Sequence, residues 1–147
     1  MNIRLIVAGK PALAYAKAGT DEYLKRLSRH GGYELDTVKA GSREETSARL
    51  LERSRGCYRI AIDERGQRLT TRAFAGHLAA LAARGDIKTV AFLIGAADGH
   101  SEALREACDL VLTLSSFTLQ HELALLVLLE QLYRVASLNS GSPYHRD

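Results

Sequence analysis

The chain has 147 residues, of which 46% are hydrophobic and 25% charged, and its formal net charge is +3. These values predict one soluble domain, residues 1–147, with a sizeable core, and so small a net charge does not require a polyanionic partner. Two cysteines are too few for a disulfide framework or a metal-ligand cluster, so we expect buried, unreactive thiols and no bound metal.

Short apolar runs alternate with helix-like stretches along the chain. In the first half of the chain we predict a strand at Ile3 to Ala8, a helix at Ala12 to Arg29, a strand at Tyr33 to Val38, a helix at Arg43 to Arg55 and a strand at Tyr58 to Ile62. A helix follows from Thr70 or Thr71 to about Ala83, and then a strand at Thr89 to Ile94. The last elements are a helix capped by Ser101 and running through Ala107, a strand at Leu110 to Leu114, and a long helix from about Glu122 to Leu138. This alternation predicts an α/β fold, a mostly parallel sheet with helices on both faces.

The apolar segments are not typical of membrane attachment. The chain runs straight into its first strand, without the basic region, long apolar core and cleavage site of a signal peptide. The apolar run from Leu123 to Leu129 is far shorter than the roughly 20 residues that cross a bilayer. We therefore expect a cytoplasmic protein without a membrane partner.

The long helix is apolar nearly all round, which requires cover on both sides. The sheet can cover one side. A second copy of the chain is the preferred cover for the other side, because homodimers are the commonest assemblies. The pattern therefore predicts a homodimer.

Ligands of parallel α/β sheets bind beyond the carboxyl ends of the strands. Three loops fall there: Asp63 to Gly66, Gly95 to Gly99, and Ser115 to Gln120. Gly95 lets a ligand approach the backbone, and Gly99 is expected to take a positive φ. Phosphate-loop and dinucleotide fingerprints are both missing, so a plain turn is the alternative for the glycine loop.

The segment from Ser115 to Leu119 offers backbone amides, hydroxyls and an apolar edge without any cation. This suits a neutral aromatic base such as adenine better than a phosphate. The alternative is a polar turn whose hydroxyls bond to the local backbone.

The C-terminal segment Pro143-Tyr144-His145-Arg146 combines a proton donor, a group that titrates near neutrality and a fixed cation. A frayed chain end is the alternative.

Arginines crowd the middle third of the chain among acidic residues, which predicts either a salt-bridged surface or a phosphate-binding stripe. These arginines are Arg43, Arg49, Arg53, Arg55, Arg59, Arg65, Arg68 and Arg72.

Together these motifs resemble a known family. The resemblance rests on Val7-Ala8-Gly9-Lys10, Glu22-Tyr23-Leu24-Lys25-Arg26, Phe92-Leu93-Ile94-Gly95, Asp98-Gly99, Leu119, His121, Glu130-Gln131-Leu132-Tyr133-Arg134 and Pro143-Tyr144-His145-Arg146. Over its full length the chain is similar to the small bacterial SPOUT-class methyltransferases that modify N3 of a pseudouridine in 23S ribosomal RNA. The resemblance implies a C-terminal trefoil knot, a homodimer, S-adenosylmethionine as methyl donor and ribosomal RNA as partner. Because so small a domain lacks a separate RNA-binding module, we expect the RNA within an assembled ribosomal particle.

The resemblance also implies two groups of site residues. Residues expected to line the donor site are Ile62, Gly95, Leu114, Ser115, Ser116, Phe117, Thr118 and Leu119. Residues expected to face the target nucleotide are His121, Arg134, Tyr144, His145 and Arg146, with the tail completing the partner subunit's site. His145 is the first candidate for the base that removes the N3 proton. Tyr144 would stack on or bond to the base, and the two arginines would bind phosphate or the developing anion.

Three positions depart from the family pattern. Ala96 stands for a second glycine, Gln120 for a proline and Leu125 for an arginine. Two alternatives therefore stay open. One is a degenerate family member that binds RNA or donor without catalysis, and the other is a flavodoxin-like nucleotide-binding module.

Overall fold

The computed structural model describes all 147 residues as one five-stranded sheet with helices on both sides. The strand order is β2-β1-β4-β3-β5, and every neighbouring pair is parallel. The strands are β1 Asn2–Ala8, β2 Tyr33–Val38, β3 Tyr58–Arg68, β4 Thr89–Ile94 and β5 Leu110–Thr113. The helices are α1 Ala14–Leu27, α2 Arg43–Arg53, α3 Thr71–Arg84, α4 Glu102–Ala107 and α5 His121–Ser140, with a short 3₁₀ turn at Ser28–His30. The predicted α/β fold is confirmed, whereas the trefoil knot stays a prediction.

The sheet separates two hydrophobic cores because successive strand residues point to opposite faces. Leu5 and Phe92 belong to the larger core, under α1, α3 and α5. Ile6 and Leu93 belong to the smaller core, under α2 and α4. The central strands β1 and β4 are therefore apolar on both faces, as the continuous apolar runs predicted.

Helix α5 is covered within its own chain more fully than the sequence suggested. It packs against α1 on one side and α3 on the other, as well as against β4. No residue from 121 to 138 is exposed. Two neighbouring helices flank α5, so its apolar surface does not by itself require a second subunit, and the homodimer stays a prediction.

Strand β3 is longer than predicted. The segment from Asp63 to Gly66 is part of the strand, so the prediction of a loop there was wrong. Ile62 and Gln67 both align with Leu112 of β5, and the four residues between them form a bulge. A Cβ on Gly66 would lie 2.6 Å from backbone atoms of Leu112, so only glycine allows the two strands to approach here.

Most helix ends follow local sequence signals. Thr70 and Ser101 cap α3 and α4 as predicted, each accepting a backbone N–H bond from its third following residue. Helix α1 begins later than predicted, at Ala14, and no side chain caps it at Leu13. The backbone N–H groups of Ala12 and Leu13 donate to Oε1 of Glu122 on α5, which no local pattern could reveal.

The two cysteines are half-buried rather than buried. Burial nevertheless raises the pKa of Cys108 to about 11, so its thiol stays protonated at neutral pH.

None of the helices combines the length and the apolar character that a bilayer crossing would need.

Candidate functional site

A pocket of about 370 Å³ lies beyond the carboxyl ends of β4 and β5 and beside the bulge of β3. The three segments singled out in the sequence meet there, in the position where α/β sheets bind ligands. Gly99 takes φ +75°, as predicted. Of the residues expected at the donor site, Ser116 is not part of the lining; those that are comprise Ile62, Gly95, Leu114, Ser115, Phe117, Thr118 and Leu119.

A buried carboxylate forms one wall of the pocket. The Asp63 side chain is only 3% exposed and lies 3.6 Å from both Arg65 and Arg105 guanidinium nitrogens. Its Oδ1 also accepts the Arg65 backbone N–H at 2.9 Å. Arg105 in turn donates to the carbonyl of His100 at 2.8 Å. The bulge of β3 is therefore tied to the start of α4 through charged groups.

His100 is a pocket residue that the sequence reasoning missed, although it directly follows the Gly95 to Gly99 loop. Burial lowers its pKa, so the imidazole is neutral. Nε2 lies 3.0 Å from the Leu93 carbonyl and must carry the proton, because a carbonyl only accepts. Nδ1 is left as a buried acceptor without a partner.

Gly95 lies against the same imidazole. A Cβ there would be 3.2 Å from the Gly99 backbone and 3.3 Å from Cε1 of His100. The pocket floor therefore has no room for a larger residue at this position.

The pocket mouth combines a cross-loop bond with an exposed aromatic ring. Thr118 Oγ1 donates to Glu64 at 3.0 Å and joins the last loop to the β3 bulge. Phe117 is 80% exposed beside this contact. The Phe117 backbone N–H donates to Ser115 Oγ at 2.9 Å, so the loop also contains the local hydroxyl bond that the polar-turn alternative predicted.

A second cluster forms around the C-terminal tail. The Tyr144 ring packs edge-on against Tyr133 with centroids 4.6 Å apart, and the Arg134 guanidinium lies 5.1 Å from its centre. Arg134 also pairs with Glu130 one turn earlier on α5. His145 Nδ1 lies 3.4 Å from Arg134 Nη1. Burial raises the pKa of Tyr144 to about 12, so it stays a phenol that can donate.

The tail cluster and the pocket lie apart within one chain. His121 lines the pocket, but none of the residues from 130 to 147 does. His121 and Arg134 are thirteen residues apart on α5, a rise of about 20 Å along a helix. The structure therefore brings Arg134, Tyr144 and His145 together, leaves Arg146 exposed beside them, and separates all four from His121.

Comparison with known proteins decides the family. A family model described as "Predicted SPOUT methyltransferase" matches residues 1–145. The chain belongs to the SPOUT methyltransferases.

Two relatives of this SPOUT chain carry a more specific name. A Thermus thermophilus protein named "Ribosomal RNA large subunit methyltransferase H" is 49% identical over 146 residues, which is 99% of each chain. A Deinococcus radiodurans protein of the same name is 40% identical over the same share. The similarity thus extends from one end of the chain to the other.

Solved structures support the SPOUT fold alone. A transfer RNA methyltransferase from Aquifex aeolicus superposes with a TM-score of 0.58 at 14% identity, and the match covers 100% of this chain and 76% of the other.

The strand order, 2-1-4-3-5, differs from the 2-1-3-4-5 order of flavodoxin-like folds, so the flavodoxin-like alternative was wrong.

The three departures from the SPOUT family pattern are accommodated by the fold. Ala96 needs no positive φ and packs against the core under α2 and α4. The Gln120 side chain caps α5 by accepting the backbone N–H groups of Glu122 and Leu123 at 2.9 and 3.0 Å. Leu125 is 2% exposed in the larger core. None of these residues blocks the pocket.

The arginine-rich middle third of this SPOUT chain is largely a salt-bridged surface. Arg59 bonds to the Ser54 side chain and the Leu51 carbonyl instead of an acid. Arginines with a carboxylate partner are Arg43, Arg49, Arg53, Arg55, Arg65 and Arg72. The phosphate-binding alternative is correspondingly weakened, because these cations are already paired.

Proposed function

We propose that this chain transfers a methyl group from S-adenosylmethionine to N3 of a pseudouridine in 23S ribosomal RNA. The observation that carries the proposal is the 49% identity, over 99% of both chains, to a relative named for methylation of large-subunit ribosomal RNA. This substrate makes the cytoplasm the site of action and an assembled ribosomal particle the partner.

The pocket is suited to the methyl donor. Its volume of about 370 Å³ lies in the usual range for small-molecule sites. Glu64 and Asp98, which also line the pocket, supply negative charge that favours a cationic sulfonium. When bound, the donor supplies an electrophilic methyl group.

The tail cluster is suited to the target nucleotide. Arg134 and Arg146 carry the cations for phosphate or for charge that develops on the base carbonyls. Tyr144 offers a ring for stacking, and His145 offers a nitrogen that can take the N3 proton. His121 would approach the base from the donor side, since it lines the pocket.

A homodimer would bring the two halves together. The tail lies about 20 Å along α5 from its own pocket, so a second copy must supply the tail if both halves act on one base. Exposed apolar side chains near the start of α1 and at the pocket mouth support such an interface, namely Leu13, Tyr15 and Phe117.

The test is transfer of a radiolabelled methyl group to ribosomes that lack the modification. We expect wild-type protein to label the particle, and His145→Ala to lower turnover by about 10²- to 10⁴-fold while donor binding by calorimetry is unchanged. His77→Ala, at a histidine of α3 that contacts Tyr58, should keep wild-type turnover.

Other outcomes separate the alternatives. Donor binding without any methyl transfer would favour the degenerate, binding-only member. Unchanged turnover in the His145 variant would remove this residue as the base.

A further inference from the structure

The tail is anchored to α3 by a charged contact that the proposed function does not use. Arg72 Nε lies 2.8 and 3.0 Å from the two carboxylate oxygens of Asp147, and Arg72 Nη2 lies 2.8 Å from Oδ2. This is the two-pronged geometry that holds a carboxylate in one orientation. The hydrogen bond from Arg72, and to a smaller extent that from His145, lowers the pKa of Asp147 to about 2. The Asp147 carboxylate is therefore an ionised acceptor at neutral pH.

The anchored carboxylate fixes the protonation pattern of His145. His145 Nε2 lies 2.9 Å from Asp147 Oδ1, and an ionised carboxylate only accepts, so Nε2 carries the proton. Nδ1 faces Arg134 Nη1 at 3.4 Å, and a guanidinium only donates, so Nδ1 keeps its lone pair. The imidazole side chain is 8% exposed, which leaves it little freedom to turn over.

We propose that Asp147 is a positioning residue which, held by Arg72, locks His145 as the Nε2–H tautomer and makes Nδ1 the proton-accepting atom. This inference rests on the proposed methyl transfer. The contact from Arg134 to Nδ1 is longer than an ordinary hydrogen bond, so an incoming ring N–H replaces it.

The proton and electron balance follows from this arrangement. The N3 proton moves to Nδ1 of His145, and the electron pair of the N–H bond stays on N3. That pair forms the bond to the methyl carbon, and the pair of the broken C–S bond goes to sulfur. The imidazolium then gives its proton to water.

Asp147 matters for this step because it accepts from Nε2, and so stabilises the imidazolium that forms when Nδ1 takes the proton. The same division of work, with a carboxylate orienting a histidine and stabilising its charged form, operates in hydrolase triads.

The first test reads the tautomer without any methyl transfer. Long-range ¹⁵N–¹H correlation spectra of the wild-type protein should place the His145 ring proton on Nε2. Asp147→Asn presents an amide N–H to the ring and should move part of the population to Nδ1–H. An unchanged tautomer in this variant would overturn the proposal.

The second test separates positioning from simple anchoring. We expect Asp147→Asn and Arg72→Gln to lower kcat by about 10- to 100-fold with little change in KM for the ribosomal particle, and Asp147→Glu to recover most of the loss. Asp86→Asn is the matched control, because Arg84 donates to both carboxylate oxygens of Asp86 in the same two-pronged way. This pair lies at the opposite end of α3 from Arg72.

The outcomes distinguish this inference from the proposed function. If the wild-type protein methylates nothing, the proposed function falls while the tautomer measurement still stands. If the Asp147 variants raise KM and leave kcat intact, the residue only anchors the tail and the positioning role is refuted.

Discussion

Single residues decide how closely neighbouring segments can approach, and Gly66 is the clearest case. A Cβ at this position would meet the backbone of Leu112 and Thr113 at 2.6 to 2.7 Å, and backbone atoms cannot move aside as a flexible side chain can. We expect Gly66→Ala to destabilise the protein by about 1–3 kcal/mol or more, as over-packing does. Denaturant unfolding monitored by circular dichroism measures the change.

Gly76 provides the matched control for this substitution. It lies in α3, and an added Cβ would meet nothing within 4 Å. Gly76→Ala should therefore stabilise the chain by about 0.5–1 kcal/mol through helix propensity. Equal stability of the two variants would contradict the close approach of β3 and β5.

Helices depend on partners from other elements, as Glu122 of α5 demonstrates at the start of α1. Bonds from the backbone N–H groups of Leu13 and Ala12 lower the pKa of Glu122 below its ordinary 4.5. Its stabilisation is therefore complete above pH 4.5 and is lost as the pH falls through the lower folded-state value. We expect Glu122→Gln, which keeps an acceptor oxygen but loses the charge, to cost about 1 kcal/mol at pH 7, the usual difference between a charged and a neutral acceptor.

The pH dependence identifies the cause of that loss. The difference in unfolding free energy between wild type and Glu122→Gln should shrink as the pH is lowered from 6 toward 3, when the wild-type carboxyl also becomes neutral. The control Glu106→Gln, at an exposed position of α4, should leave the unfolding free energy at wild-type values at both ends of this pH range. A difference that does not vary with pH would point to lost packing instead of a lost charge.

At the scale of the whole molecule, the separation of pocket and tail predicts a site shared between two copies. Wild-type protein should elute with twice the 16.1 kDa mass of one chain in light-scattering chromatography. Gly95→Val should abolish donor binding, and His145→Ala should leave about 1% of wild-type turnover or less. Mixed and re-equilibrated, the two inactive proteins should regain about a quarter of wild-type activity, because half the dimers are mixed and each has one intact site.

The opposite result is expected if the site is not shared between two copies. If each chain completes its own site, every site in a mixed dimer contains one damaged half, and mixing restores nothing. Activity in the mixture at or near zero, with mixed dimers present by native mass spectrometry, would therefore refute the shared site.

Much of the fold was predictable because strand and helix signals are local. Apolar runs such as Thr89 to Ile94 fixed the buried strands, and Thr70 and Ser101 marked helix starts by their own hydroxyls. The three segments that line the pocket were found with the rule that ligands bind at the carboxyl ends of parallel strands. The extension of β3 to Arg68 was missed, because polar residues there pair with a strand that lies more than 40 residues later in the chain.

The alternation of strands and helices, the segments that line the pocket and the chemical content of the tail could be read from the chain, since each depends on residues close together in it. The folded structure was needed to find that α1 and α3 flank α5, that His100 has a buried acceptor, and that Asp147 contacts both Arg72 and His145. These features depend on residues that lie far apart along the chain. Burial and hydrogen-bond partners arise between residues that the fold brings together, and no local pattern records which residues those will be.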